Sequence, residues 1–555
     1  METTVFSEAE VERDDVAFPK LDATEIDAAR QCGKTEVFEP GAILFEAGES
    51  PVDCFVIVSG EAEVIDPSGD KDRVLVRHRP GGFTGEISVL TQRPALATCR
   101  ARSRCEVIRL PAAEVRHLLV KCPSLGEKWM PAFIRRREMM EEHGFEGLRL
   151  FGERSDPATL HLREFMHRNG VPHRWLDTSL PGNARIASEL AAEPLQFPVV
   201  AWSHQVLLQN PSVAQLAERT GIRRHIPDEV FDVVIIGCGP AGLGAAVYAA
   251  SEGLRTAILD GMGPGGQAGA SSRIENYAGF PAGLSGRELA LRAYLQALKF
   301  GAVFSAPHLV TSVRCLAHAL HEVRTEDGTV VKTKTVILAT GVSYTTLGVA
   351  GLSELRGCGV YYAATQVEAI LCRDRPVHVV GAGNSAGQAA MYLSKFSENV
   401  NLVVRGGDLR KSMSSYLSER VELNPRIKIR LHTELRAVEG AACLEKAHLE
   451  NISTGETNVE ESSGIFIFIG ASPCTDFLGD AILKDEKGFV ITGSDVVSAG
   501  RWPLGNRSPE PLETSCPGVF VAGDCRSRTT KRVAFAVGDG ALAVTCVHNL
   551  LGTYL

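Results

Sequence analysis

Two glycine-rich loops in this chain have the form that cradles phosphate. The first, Gly237-Cys238-Gly239-Pro240-Ala241-Gly242, follows the apolar run VVII and opens an alanine-rich stretch. In a strand–loop–helix unit the first glycine allows the tight turn, the second admits a pyrophosphate to the backbone, and the third lets helix and strand pack closely. Unpaired N–H groups at the helix start then face the phosphates. The next β run, RTAILD, ends on Asp260, where a carboxylate accepts from ribose hydroxyls. A second loop, Gly381-Ala382-Gly383-Asn384-Ser385-Ala386, lies between PVHVV and a helical stretch over 387–395. Its following run, NVNLVVR, ends on Arg405, with Arg410 and Lys411 close behind. Bases at this place suit the 2′-phosphate of NADP better than the bare ribose of NAD. Two such units predict two dinucleotides, a flavin and a nicotinamide. A third signal, TSCPGVFVAGDCRS at 514–527, carries a β run into Gly523-Asp524, whose carboxylate can reach a flavin hydroxyl. Gly538-Asp539-Gly540 reads as a helix start near the pyrimidine end of the ring.

Glycine density marks the part of the chain that must hold these loops. Residues 1–227 contain 15 of the 54 glycines and residues 228–555 the other 39, so the nucleotide machinery is expected at the rear. At 555 residues, 44% hydrophobic and 23% charged, the chain predicts several globular domains. With 58 basic against 67 acidic residues its net charge is −9, which weighs against a nucleic-acid or anionic-membrane binder. The uncharged run Val233–Ala250 contains four glycines, a proline and a β-like start, so a membrane span is not expected. METTVFSEAE is acidic and lacks an apolar core, which predicts a cytoplasmic protein. No two of the fourteen cysteines stand three apart; reduced thiols are expected, and no metal site.

In the front part, AILFEAG, CFVIVSGEAEVI, RVLVRH and CEVIRL are short β runs separated by turn signals, predicting a small β-roll. A helical stretch follows over Pro111 to about Glu142, with Arg135-Arg136-Arg137 read as a solvated face. LRLFGERS, a helix over Asp156–Asn169, HRWLD, FPVVAW, QVLLQ and a short helix over Ser212–Gly221 complete a β-α-β-α-β-β-α order.

Residues 18–125 resemble cyclic-nucleotide-binding domains through Gly85-Glu86-Ile87 and ALATCRA at 95–101. The resemblance assigns Glu86 to the ribose hydroxyl and puts the phosphate-binding arginine position on Ala95, with Arg93 out of register. A buried cyclic phosphate without a cation is costly, so ordinary cyclic-nucleotide binding is not expected. Residues 146–225 look like a thioredoxin or glutaredoxin fold, with Phe197-Pro198 at that family's cis-proline. The place of its redox pair reads Arg154-Ser155-Asp156-Pro157-Ala158, so thiol exchange is excluded and docking is expected.

Residues 230–555 resemble low-molecular-weight thioredoxin reductases. GMGPGGQ at 261–267, IENYAGFP at 274–281, ATG at 339–341, IGASPCT at 469–475 and GVFVAGD at 518–524 join the two loops as shared motifs. The resemblance implies FAD on Gly265, Gly266, Gln267, Asn276 and Asp524 besides the first loop, with Arg532 and Val533 beside the pyrimidine. It implies NADPH on the second loop, and a homodimer. The C-A-T-C positions of that family fall on Ala363 and Gln366, so the family's disulfide route is missing. Tyr361 and Tyr362 stand there, as an aromatic floor for an acceptor or as ordinary packing.

The expected fold is multidomain α/β: a β-roll with helices (1–142), a cysteine-free thioredoxin-like domain (143–227), and two Rossmann-like three-layer domains. These are an FAD domain (228–346 plus 472–555) and an NAD(P)H domain (347–471). The expected function is an FAD-dependent NADPH oxidoreductase serving an unidentified non-disulfide acceptor or partner protein, with no catalytic side chain identified. A redox or nucleotide sensor is the alternative. Disulfide reduction through an unrecognised thiol pair is a second; Cys516 and Cys525 are the cysteines near Asp524 in sequence, with no partner assigned to either.

Overall fold

The computed structural model describes all residues except 1–4, 67–72, 144, 146, 155, 191–193, 203–204, 272–273, 317–319, 345–346, 353–354, 356–357, 363, 365, 442 and 555. Its front is a β-roll of two four-stranded antiparallel sheets. Their inner faces bury Phe55, Ile57, Val64, Cys99 and Val107. The helical stretch behind the roll is two helices, Ala112–Lys121 and Pro123–Glu142. The break falls on Cys122 (φ −120°, ψ 89°), because the ring of Pro123 crowds helical geometry at the residue before it.

The arginine triplet corrects the sequence reading. Arg136 is buried at 4% exposure, donates to the carbonyls of Ala17 (2.7 Å) and Phe83 (3.0 Å), and lies 4.4 Å over the Phe83 ring. Two carbonyls and an aromatic face replace its water. Arg135 pairs with Asp14 at 3.0 Å.

The next unit has the predicted order. Strand Leu148–Gly152 pairs parallel with His173–Asp177 and antiparallel with Val199–Trp202, which pairs in turn with Gln205–Gln209. Asp156 caps helix Pro157–Arg168 by accepting from Ala158 and Thr159 N–H. The Phe197–Pro198 peptide is cis.

The rear part holds two sheets built on strand–loop–helix units. In the first, Val303–Ser305, Thr256–Leu259, Val230–Ile236 and Val330–Leu338 run parallel, and Val519–Val521 returns to pair beside Val330–Leu338. Strands His321–Thr325 and Val310–Cys315 extend the sheet as an antiparallel meander. The second sheet, Val360–Tyr361, Gly464–Ile467, Val377–Val380, Val400–Val403 and Ile427–Arg430, is wholly parallel. Between them the chain crosses twice, and the crossings Val342–Tyr344 and Ala471–Pro473 pair as an antiparallel ribbon.

The long helix Val533–Tyr554 starts well before Gly538, so Gly538-Asp539-Gly540 is helix interior and not a helix start. Gly540 is where this helix touches helix Pro240–Ser251: a Cβ there would stand 2.2 Å from the Ala241 carbonyl oxygen. By length and composition its segment Val533–Gly552 is the one described helix apolar enough to cross a membrane; here its buried face packs on Pro240–Ser251. The stretch 233–250 is a strand and a helix, not one span.

Candidate active site

The first glycine loop builds its cradle from backbone. Gly237 has φ +105°, and a Cβ there would stand 2.3 Å from the Ala339 carbonyl oxygen. At Gly242 a Cβ would meet the Gly237 carbonyl oxygen at 1.9 Å, so only glycine lets the helix start this close to the strand. Helix Pro240–Ser251 begins at Gly239 with Pro240 in its first turn and no side chain capping its free N–H groups. Helix Asn384–Leu393 begins at Gly383 likewise uncapped, three residues earlier than the sequence suggests. Uncapped donors behind a glycine cradle fit the phosphates of a dinucleotide.

Both loops open onto one cavity of about 1420 Å³. That exceeds the roughly 300–1,000 Å³ of a drug-sized pocket and suits extended dinucleotides. From the first loop Gly237, Gly239, Pro240 and Ala241 line it, and from the second Asn384 and Ser385. Asp260, Gly266, Gln267 and Asn276 line it too, as do Asp524, Arg532 and Val533. Gly242, Gly265, Gly381, Gly383 and Ala386 are not among the lining residues. Ion pair Arg420–Glu275, 2.9 Å, holds the second unit against the first at the cavity's side.

Asp260 is occupied by backbone. One carboxylate oxygen accepts from Cys238 N–H (2.8 Å), the other from Met262 (2.8 Å) and Gly263 (2.7 Å). It ties the glycine loop to the loop after the next strand. Asp524 sits half-buried at the end of strand Val519–Val521. Burial raises its carboxyl above the usual range, the charge of Asp539 adds to this, and Lys531 opposes it. Asp539, read from the sequence as part of a helix start, accepts from Gly523 N–H (3.1 Å) and pairs with Arg526 (3.0 Å), fixing the turn that presents Asp524. Arg168 also lines the cavity, reaching the Gly266 carbonyl at 3.4 Å from helix Pro157–Arg168.

Three basic residues assigned to NADPH stand outside the cavity lining. Arg405 pairs with Glu434 (2.9 Å) and Arg410 with Glu422 (3.0 Å); both are largely exposed. Lys411 is exposed beside them. The turn Leu409–Lys411 is tied to the second loop by Ser412, which donates to the Ala382 carbonyl at 2.9 Å.

Ala363 lies outside the described residues, as does the side chain of Gln366, whose backbone opens helix Gln366–Leu371. The aromatic-floor reading is corrected: Tyr361 packs on Phe466 with rings 5.1 Å apart, Tyr362 joins the core around Leu352 and Val438, and neither lines the cavity. Cys516 is disulfide-bonded to Cys315, which corrects the all-thiol expectation and gives Cys516 a partner. Cys525 is buried and donates to the Leu338 and Ala522 carbonyls.

In the β-roll, Ala95 is buried at 4% exposure, bonded by backbone to Gly48 and Glu49. Arg93 turns out of the roll and donates to the carbonyl of Asn169, just past helix Pro157–Arg168. The side chain of Glu86 lies outside the described residues; its backbone opens the helix Glu86–Thr91.

The profile of the pyridine nucleotide-disulphide oxidoreductase family matches residues 231–540, more than half of the chain. That of the cyclic nucleotide-binding domain matches residues 35–122. A thioredoxin reductase of Treponema pallidum is 33% identical over 323 residues, 58% of this chain and 98% of that protein. A bifunctional thioredoxin reductase/thioredoxin of Mycobacterium leprae is 33% identical over 327 residues, covering 59% and 67%. The crystal structure of Lactococcus lactis thioredoxin reductase superposes with a TM-score of 0.52 at 30% identity, covering 57% and 98%. With two uncapped dinucleotide loops on one cavity and these matches along its rear part, the chain belongs to the pyridine nucleotide-disulphide oxidoreductase family and is a thioredoxin reductase-like, flavin-dependent oxidoreductase of FAD and NADPH.

Proposed function

We propose that this enzyme delivers NADPH electrons to an acceptor other than a disulfide of its own. The observation that carries this reading is the pairing of an intact two-loop cavity with a chain in which no two cysteines stand three apart. When bound, FAD supplies the two-electron chemistry between NADPH and the acceptor. The protein contributes position and charge. Gly237, Gly239, Gly266 and the start of helix Pro240–Ser251 hold the FAD phosphates, and Gln267, Asn276 and Asp524 hold its polar groups. Arg532 is the cation stabilising negative charge at the ring edge. The second loop with Lys411, Arg410 and Arg405 holds NADPH, the last two after leaving their glutamate partners.

The front units act as docked modules. The thioredoxin-like unit places Arg154, where the related fold keeps its redox pair, against the rear part: Cys358 Sγ donates to the Arg154 carbonyl at 3.5 Å. Anaerobic stopped-flow mixing with NADPH tests the reading. Rapid bleaching of flavin absorbance, reoxidation by a quinone, ferredoxin-like carrier or dioxygen, and no turnover with thioredoxin are expected. Thioredoxin turnover, or a flavin that NADPH never bleaches, refutes it.

A further inference from the structure

One cluster of soft ligands lies outside the dinucleotide cavity. Cys315 closes strand Val310–Cys315 and stands directly across from His321, which opens strand His321–Thr325. Cys516, 201 residues further along, reaches the same spot from the turn before Val519–Val521, and the structure joins it to Cys315 as a disulfide. The two sulfurs and a ring nitrogen of His321 all lie within 4.8 Å of one another.

His321 is the residue a disulfide leaves unexplained. It is 2% exposed, and among the described residues neither ring nitrogen has a hydrogen-bond partner. A buried donor or acceptor left unmade costs about 1–3 kcal/mol, so an imidazole is a poor choice unless something takes its lone pair. The fold makes room for this ring: a Cβ at Gly518 (φ +80°) would stand 2.6 Å from Nε2. Glu513, fully buried, is the acidic group facing His321, but its oxygens already accept from Arg507 (2.7 Å) and Gly518 N–H (2.8 Å). The Cys315 and Cys516 Cα atoms are 7.2 Å apart. Two thiolates on one tetrahedral zinc sit roughly 3.8 Å apart for Zn–S bonds of about 2.3 Å, so the bonded sulfurs must part for the metal to enter.

We propose that Cys315, His321 and Cys516 form a redox-gated site for a thiophilic divalent cation, zinc by its chemistry. A dithiol reductant gives two electrons and two protons to the Cys315–Cys516 bond and leaves as its own disulfide. The two thiols release those protons as the cation binds two thiolates and the neutral imidazole. Cys315 is exposed at the hairpin end, so water supplies the fourth ligand and both metal and reductant have a way in. Either state, disulfide or metal, ties the meander to the segment that runs into Asp524.

The test uses the full FAD-loaded protein, reduced with a phosphine, exposed to zinc and passed through gel filtration. Zinc content by mass spectrometry and X-ray absorption at the zinc edge are then read. The reduced wild type is expected to retain one zinc per chain with two sulfur ligands and one nitrogen ligand, and the oxidised protein none. Cys315→Ser, at an exposed position, and Cys516→Ser lose stoichiometric zinc; His321→Ala loses roughly tenfold or more in affinity. Retained flavin absorbance certifies that each variant is folded. A reduced wild type that holds no more zinc than Cys315→Ser overturns the proposal, as does a nitrogen ligand that persists in His321→Ala.

Discussion

Asp524 carries a burial cost that Lys531 offsets only in part. Its carboxyl titrates above the ordinary range because burial disfavours the ionised form. For an acid raised in the folded state the penalty is absent while the group is protonated. It grows as the pH climbs from the unfolded value of about 4 through the raised one. At neutral pH the apoprotein therefore bears this penalty. Asp524→Asn is expected to leave the apoprotein melting temperature equal or higher while weakening FAD by roughly tenfold or more, the scale of a hydrogen bond to a charged acceptor. Fluorescence titration of apoprotein with FAD reads the second effect; unchanged affinity removes Asp524 from the FAD site. Arg526→Ala acts one step away, releasing Asp539 from the turn at Gly523. A several-fold loss of FAD affinity that Arg526→Lys partly restores is the expected titration result.

At the scale of elements, helix Pro157–Arg168 delivers its last turn to the cavity through Arg168. Asn169, just past it, donates to the Met262 carbonyl at 2.7 Å, and its own carbonyl receives Arg93 from the β-roll. One residue thus touches three units. Asn169→Ala leaves the Met262 carbonyl unpaired, with about 1–3 kcal/mol lost in stability, read by thermal denaturation with and without FAD. His167, in the same turn, is held neutral first by burial and then by Arg287, His173, Arg168 and Arg163, which push its pKa down to about 3. A histidine depressed in the folded state contributes fully above its unfolded value of about 6.5, and the contribution fades as the pH falls from there toward 3. Hydrogen-exchange protection of this helix and of Gly286–Lys299, after correction for the slower intrinsic exchange in acid, should fall on acidification from pH 7 to pH 5. His167→Gln should flatten that response; an unaltered profile would place the acid sensitivity elsewhere.

For the molecule as a whole, the β-roll is built into the enzyme by protein contacts. Helix Glu86–Thr91 packs on Gly286–Lys299, and Arg224 links Gln92 (3.3 Å) to Ser305 (2.9 Å) across the units. With Ala95 in the roll's wall and Arg93 turned outward, calorimetry is expected to find no micromolar binding of the common cyclic nucleotides; a clear micromolar isotherm would contradict this. What could be read from the sequence follows from range. The glycine loops, the Asp156 cap and the β-α-β-α-β-β-α order are each written within a few dozen residues. The roles of Arg168, Asp539 and His321 depend on partners elsewhere in the fold, and the Cys315–Cys516 bond spans 201 residues. Local pattern also misread Arg136, since charge spacing on a helix does not reveal which face a preceding segment covers.

The strand Val519–Val521 and the helix after it set an order of events in the cell. The phosphate cradle at Gly237 is translated 287 residues before Asp524 (524 minus 237). The central strand Val330–Leu338 must wait for its neighbour Val519–Val521 until a further 181 residues have been made (519 minus 338). At roughly 5–20 residues per second, a ribosome needs about 15–60 seconds to cover the longer of these distances. During this interval the nascent sheet has an open edge and no complete flavin site. Capture of FAD is therefore a late event that closes folding rather than seeding it, and scarcity of the cofactor would leave the unfinished edge exposed to chaperones and proteases.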